Sequence, residues 1–150
     1  MIVDVIVIVD GDGDGDGDGD EPSRPTKHRR PSRADRRRML SFQRLDVYRV
    51  AIEFLAEAVE ITAKVPRGYA SLADQLRRAA TSCPLNIAEG AGRSSDADAA
   101  RHYGIARGSA MECAAVLDAL KVLGAVEPAR YERGMELLER EVAMLTKLCR

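Results

Sequence analysis

The chain of 150 residues has no tryptophan, two phenylalanines and four tyrosines. So few rings provide no stacking platform for unstacked bases. Histidine is as scarce. His28 falls among prolines and arginines and His102 stands alone, so neither a base beside a nucleophile nor the Glu-x-x-His pairs of a metal-binding bundle are present. No glycine-rich phosphate loop of the P-loop type occurs. The three cysteines, Cys83, Cys113 and Cys149, are odd in number and widely spaced. They read as buried thiols in a reducing cytoplasm rather than as a disulfide framework or metal site. No catalytic residue, cofactor, metal or small-molecule substrate is expected. The one strongly apolar run, MIVDVIVIV, is nine residues long and interrupted by Asp4. It is too short to span a bilayer and lacks the basic flank and cleavage site of a signal peptide, so no membrane role is expected.

A charge of one sign is also missing: 23 Lys and Arg stand against 24 Asp and Glu. The balance conceals a segregated front. Residues 1–20 hold seven aspartates, 21–38 hold eight basic residues against two acids, and 39–150 carry 15 of each sign. No overall charge draws the chain to nucleic acid, so any such binding must come from local patches.

Residues 1–40, an Asp/Gly repeat followed by an Arg/Pro-rich stretch, have little apolar surface to offset the entropy of ordering and are expected to be disordered. Asp10, Asp12, Asp14, Gly15, Asp16, Asp18 and Glu21 fall on calcium-loop spacing. A strict two-residue repeat produces that spacing by accident, and no amphipathic helix flanks it, so weak cation association is the most it implies. The arginine-rich stretch is either a phosphate contact or a solvated tail. Met39 stands just before the first foldable residue, and residues 1–38 are expected to be a dispensable extension.

Residues 41–150 change character. Leu45, Tyr48, Ile52, Leu55, Val59 and Thr62 recur at helical spacing opposite Asp46, Arg49, Glu53, Glu57, Glu60 and Lys64. After Pro66 and Gly68, Ser71 is placed to cap a second helix with the stripe Leu72, Leu76, Ala79, Cys83 and Ile87. Ser94 or Ser95, with Asp96 and Asp98 behind it, starts a third on Tyr103, Ala106, Ala110, Cys113, Leu117 and Leu120, stopping near Gly124. Pro128 opens a fourth on Tyr131, Met135, Leu138, Val142, Leu145 and Cys149. Helices over about 45–64, 71–89, 95–123 and 128–149, joined by short connections and with no strand candidate, specify an all-α fold. The architecture is an antiparallel up-and-down four-helix bundle. Helix three is rich in small residues, Gly104, Ala106, Gly108, Ser109, Ala110, Ala114 and Ala115, which points to packing across a subunit boundary.

The stretch SCPLNIAEGAGR, residues 82–93, combines an in-helix proline with Asn86, Glu89 and two glycines. Pro84 removes a hydrogen bond and is expected to kink the helix. Asn86 and Glu89 share a face with Arg78 and Ser82, and Gly90 and Gly92 permit the positive φ that ends a helix. With no partner for Glu89 as acid or base, Arg78, Asn86 and Glu89 are expected to hold a structural corner between helices two and three.

Residues 41–149 resemble the four-helix-bundle family also called 23S ribosomal RNA intervening-sequence proteins. The likeness rests on Gln75, Leu76, Arg77, Arg78 and Ala79, then Asn86, Ile87, Ala88, Glu89 and Gly90, then Gly108, Ser109 and Glu112. It implies a bundle that assembles as a ring-like homopentamer with no established enzymatic activity, and places Gly90, Ser109 and Glu112 with the polar corner. The chain is also similar to accessory bundle proteins of diversity-generating retroelements, for which nucleic-acid binding through a basic surface is the proposed role.

Two functions follow. The first is a non-enzymatic cytoplasmic oligomer that binds RNA or DNA through Arg77, Arg93, Arg101, Arg107, Arg44 and Arg49, a patch that a ring of identical subunits multiplies. Asp74 is the competing ion partner for Arg77 or Arg78. Arg78 is assigned to the internal corner rather than to phosphate. The second is a protein-interaction scaffold with no nucleic-acid role.

Overall fold

The computed structural model describes residues 39–150. The expectations for residues 1–38, including the calcium-loop spacing and the arginine-rich stretch, lie outside the described residues. Among the described residues are four α-helices and no strand: α1 Asp46–Lys64, α2 Ala70–Ala91, α3 Asp96–Val122 and α4 Pro128–Leu148. Short 3-10 turns, Ser41–Arg44 and Arg67–Tyr69, precede α1 and α2.

Each boundary has a local cause. Val65 is extended, as a residue before proline prefers, and α1 stops at Lys64. The turn at Arg67–Tyr69 feeds directly into α2, with Tyr69 at the N-cap and no side-chain cap bond, so Ser71 is not the cap. Ser95, not Ser94, caps α3: its Oγ accepts from the Asp98 N–H at 3.2 Å. At the other end, Ala125 N–H bonds to Leu120 O at 2.8 Å and Gly124 N–H to Lys121 O at 3.0 Å. That paired closure needs a left-handed residue, which Gly124 supplies at φ 64°. Pro128 occupies the first turn of α4.

The second corner is built differently from the expectation. α2 runs through buried Pro84 as one helix to Ala91, and Gly92 has φ −92°, so neither Gly90 nor Gly92 turns the chain by a positive φ. Gly90 is needed for space. A Cβ there would lie 2.7 Å from Cε1 of Tyr103, whose ring lies close to the α2 backbone.

Consecutive helices pack against each other and α1 closes against α4. Cross-helix pairs fix the antiparallel sense: Gln75 with Glu112 and Asn86 with His102 for α2 and α3, Asp118 with Tyr131 for α3 and α4. Between α2 and α3 the buried Ala79, Ala80, Ala106 and Ala110 carry so little bulk that the Cys83 Sγ reaches the Ala106 carbonyl at 3.2 Å. These small residues of α3 are therefore consumed within the chain. Gly104 and Gly108, by contrast, face open space.

The expected stripe of α3 is buried throughout, but those of α1 and α4 are rotated. α1 buries Val47, Val50, Ala51, Phe54, Ala58, Ile61 and Thr62, leaving Val59 exposed. α4 buries Gly134, Leu137, Leu138, Glu141 and Leu145. The cause is a seam of ion pairs along α1 and α4. Arg130 Nη1 donates to both Glu57 oxygens at 2.9 and 3.0 Å, Arg130 Nη2 lies 3.6 Å from Glu60, and Arg133 pairs with Glu53. The glutamates of α1 thus flank the core instead of pointing away from it.

Candidate functional site

The surface where α2 meets α3 gathers the polar residues singled out by the sequence. Asn86 Nδ2 donates to the Ser82 carbonyl at 2.8 Å and to Ser82 Oγ at 3.2 Å, while its Oδ1 lies 3.3 Å from His102 Nδ1. The same His102 nitrogen lies 3.1 Å from Glu89 Oε2, which also takes Arg93 at 3.4 Å. One step along, Ser109 Oγ donates to Ser82 Oγ at 2.9 Å, and beyond it Gln75 Nε2 donates to Glu112 Oε1 at 3.2 Å. The result is a polar line along one seam of the bundle, with Gly90 at its end. Arg78 is outside it: its side chain is exposed, with no hydrogen bond or ion pair among the described residues, so it does not hold the corner.

His102 was the residue missed. In sequence it has no neighbour of consequence; only the antiparallel turn through Gly92 brings it to Asn86 and Glu89. A histidine beside a carboxylate is half of a nucleophilic site, but among the described residues no hydroxyl or thiol bonds to the ring. The arrangement orients an imidazole without giving it a nucleophile to activate.

Ser82, Asn86 and Glu89 of this line, with Arg77, Arg78, Thr81 and Leu85, border a shallow groove of about 510 Å³ on α2. The other arginines are distributed unevenly. Arg77 pairs with Asp74 at 3.0 Å and donates from Nε to Thr62 at 3.2 Å; Arg93 pairs with Glu89; Arg49 pairs with Asp46 at 3.3 Å. Arg44 is engaged as well. Arg101 is exposed and Arg107 half-buried, and like Arg78 neither has an ion partner among the described residues.

A second polar group lies in the core. Glu141 is 0 % exposed; its Oε1 takes the thiol of Cys83 and its Oε2 has no hydrogen-bond partner among the described residues. Burial pushes its carboxyl up to about 7, against the opposing effect of the Cys83 hydrogen bond. Burial, and then the nearby Glu141, push both the Cys83 and Cys113 thiols up. Cys149 is half-buried at the end of α4. Among the described residues no group of three His, Cys, Asp or Glu side chains is arranged to hold a metal ion, and no helix is long and apolar enough to cross a membrane. A signal for Glu141 was present in the sequence: it follows Leu137 and precedes Leu145 at helical spacing, on the same side of the helix.

The family model described as 23S rRNA-intervening sequence protein matches residues 43–147, from before α1 to the last turn of α4. The chain belongs to the 23S rRNA-intervening sequence protein family. None of the curated proteins matches it. The match covers both the polar line and buried Glu141, so the family assignment applies to the folded part that carries them.

Proposed function

We propose that this member of the 23S rRNA-intervening sequence protein family is a non-enzymatic, cytoplasmic, self-assembling bundle that contacts the phosphate backbone of RNA or DNA. The observation that carries the reading is that three of the arginines singled out by the sequence, Arg78, Arg101 and Arg107, have no ion partner among the described residues. A guanidinium with no ion partner meets a phosphate without first breaking a salt bridge, and a bidentate contact suits its geometry. Arg77, Arg93 and Arg49 would each have to give up a carboxylate, so they rank behind these three. Residues 39–150 carry equal numbers of acids and bases, which makes repetition of the patch by assembly important to affinity.

Binding of the chain to duplex and single-stranded RNA and DNA over a range of salt tests this reading. The expected result is salt-sensitive binding whose log–log slope falls by about 2–3 when Arg78, Arg101 and Arg107 are changed to Gln. No polynucleotide binding at low salt overturns it. Binding retained in full by the triple variant and lost in a chain beginning at Met39 moves the contact to the arginine-rich stretch and overturns the assignment to these residues.

A second reading, a protein-interaction scaffold, is favoured by Leu85 on α2 and Ile105 and Met111 on α3, which are 60 %, 44 % and 58 % exposed. Under it the arginine variants leave partner binding intact.

A further inference from the structure

Glu141 stands at the centre of the bundle, on the face of α4 turned to the other helices. Both carboxyl oxygens are buried and only one has a hydrogen-bond partner among the described residues. A carboxylate in such a place needs a cation or several N–H donors to remain charged. None is offered. From α2 the group facing it is the neutral thiol of Cys83. From α3 it is the Cys113 thiol, with Glu112 next in sequence, exposed and bonded to Gln75. The buried face of α1 consists of Val47, Val50, Ala51, Phe54, Ala58, Ile61 and Thr62 and has no ionisable group. The seam charges of α1 and α4 are committed to one another, Glu57 and Glu60 to Arg130 and Glu53 to Arg133. Glu139 and Arg140, adjacent on α4, are exposed.

We propose that Glu141 is a proton-holding group that docks α4 onto α2 and α3 as the neutral acid, so that the bundle loosens when the proton leaves. A protonated carboxyl removes the uncompensated charge and offers a donor where the carboxylate has only acceptors. Both thiols resist ionisation in this environment, which leaves Glu141 as the member of the cluster that changes charge near neutrality. Its folded value, about 7, exceeds the ordinary 4.5, so the folded state binds the extra proton between those limits. Stability is therefore fully present below about pH 4.5, declines as pH rises through the folded value of about 7, and is level above it.

Equilibrium unfolding of the full chain and of Glu141→Gln, a neutral isostere, separates this group from all others that titrate. The ratio of wild-type to variant folding constants is expected to fall by roughly two to three decades from acid to mildly alkaline pH. A ratio that stays constant overturns the proposal. Should the variant fail to fold, carboxyl carbon NMR of the wild-type chain decides the matter. One glutamate titrating near neutrality in the folded protein is the expected result, and glutamates that all titrate in the ordinary carboxylate range overturn it.

Discussion

Gly90 and Gly124 are both required by the fold, for different reasons. Gly124 supplies a left-handed φ of 64°, and a Cβ there meets nothing within 4 Å. Gly124→Ala is expected to lose about 1 kcal/mol from backbone strain alone. Gly90 is helical, so alanine there gains up to about 1 kcal/mol of helix propensity. It also drives a methyl to 2.7 Å from Tyr103, and overpacking of this kind costs about 1–3 kcal/mol. Overpacking wins, and Gly90→Ala is expected to destabilise by about 1–2 kcal/mol in urea unfolding. The two are distinguished by a second change: Tyr103→Leu should relieve most of the added loss at Gly90 and none at Gly124. Additive losses for Gly90→Ala and Tyr103→Leu would show that the ring is not the obstacle.

Among the elements, α1 and α4 are joined by charge as well as apolar burial. The Glu57 side chain is 13 % exposed, and Arg130 touches both of its oxygens. Such a pair lies between a surface bridge, worth little, and a buried one whose breakage strands a charge. Arg130→Met is expected to destabilise by about 1–2 kcal/mol, with Arg130→Met/Glu57→Gln less destabilised than the single variant because the more buried of its two carboxylate partners is no longer left stranded. A double variant at least as destabilised as Arg130→Met alone would overturn this account. The same seam explains what the sequence disclosed. The apolar residues of α3 from Tyr103 to Leu120 keep a regular three- and four-residue spacing, so its buried stripe was legible even though Ile105 and Met111 lie exposed off it. α1 is apolar over more than one face, and its glutamates read as solvent-facing until their arginine partners on α4 are known. In α4, counting apolar residues passes over Gly134 and Glu141, both buried, and so rotates the stripe. Of the polar line, Ser82, Asn86 and Glu89 were legible as one face of α2, whereas Arg78, read with them, lies outside it and Gln75 joins it only through Glu112. The line's far half, His102, Ser109 and Glu112 in place, depends on the register of an antiparallel partner.

At the scale of the whole molecule, the proposed self-assembly can be tested at the outer surface of α3. Gly104 and Gly108 leave the backbone open to close approach, and Ile105 beside them is 44 % exposed. The buried small residues of α3 are already used against α2, so a second copy would have to approach an outer set such as this one. Proposed self-assembly therefore predicts that Ile105→Lys, which puts a charge onto that face, lowers the solution mass to that of one chain. Its effect on folding should be within about 0.5 kcal/mol, because the side chain is not part of the core. Sedimentation of the wild-type and variant chains at equal concentration measures both masses. A wild-type chain that sediments as a monomer removes the assembly. An oligomer that Ile105→Lys leaves intact places the contact on another face. If assembly is what concentrates Arg78, Arg101 and Arg107, then the dissociated variant should also bind polynucleotide more weakly with all three arginines unchanged.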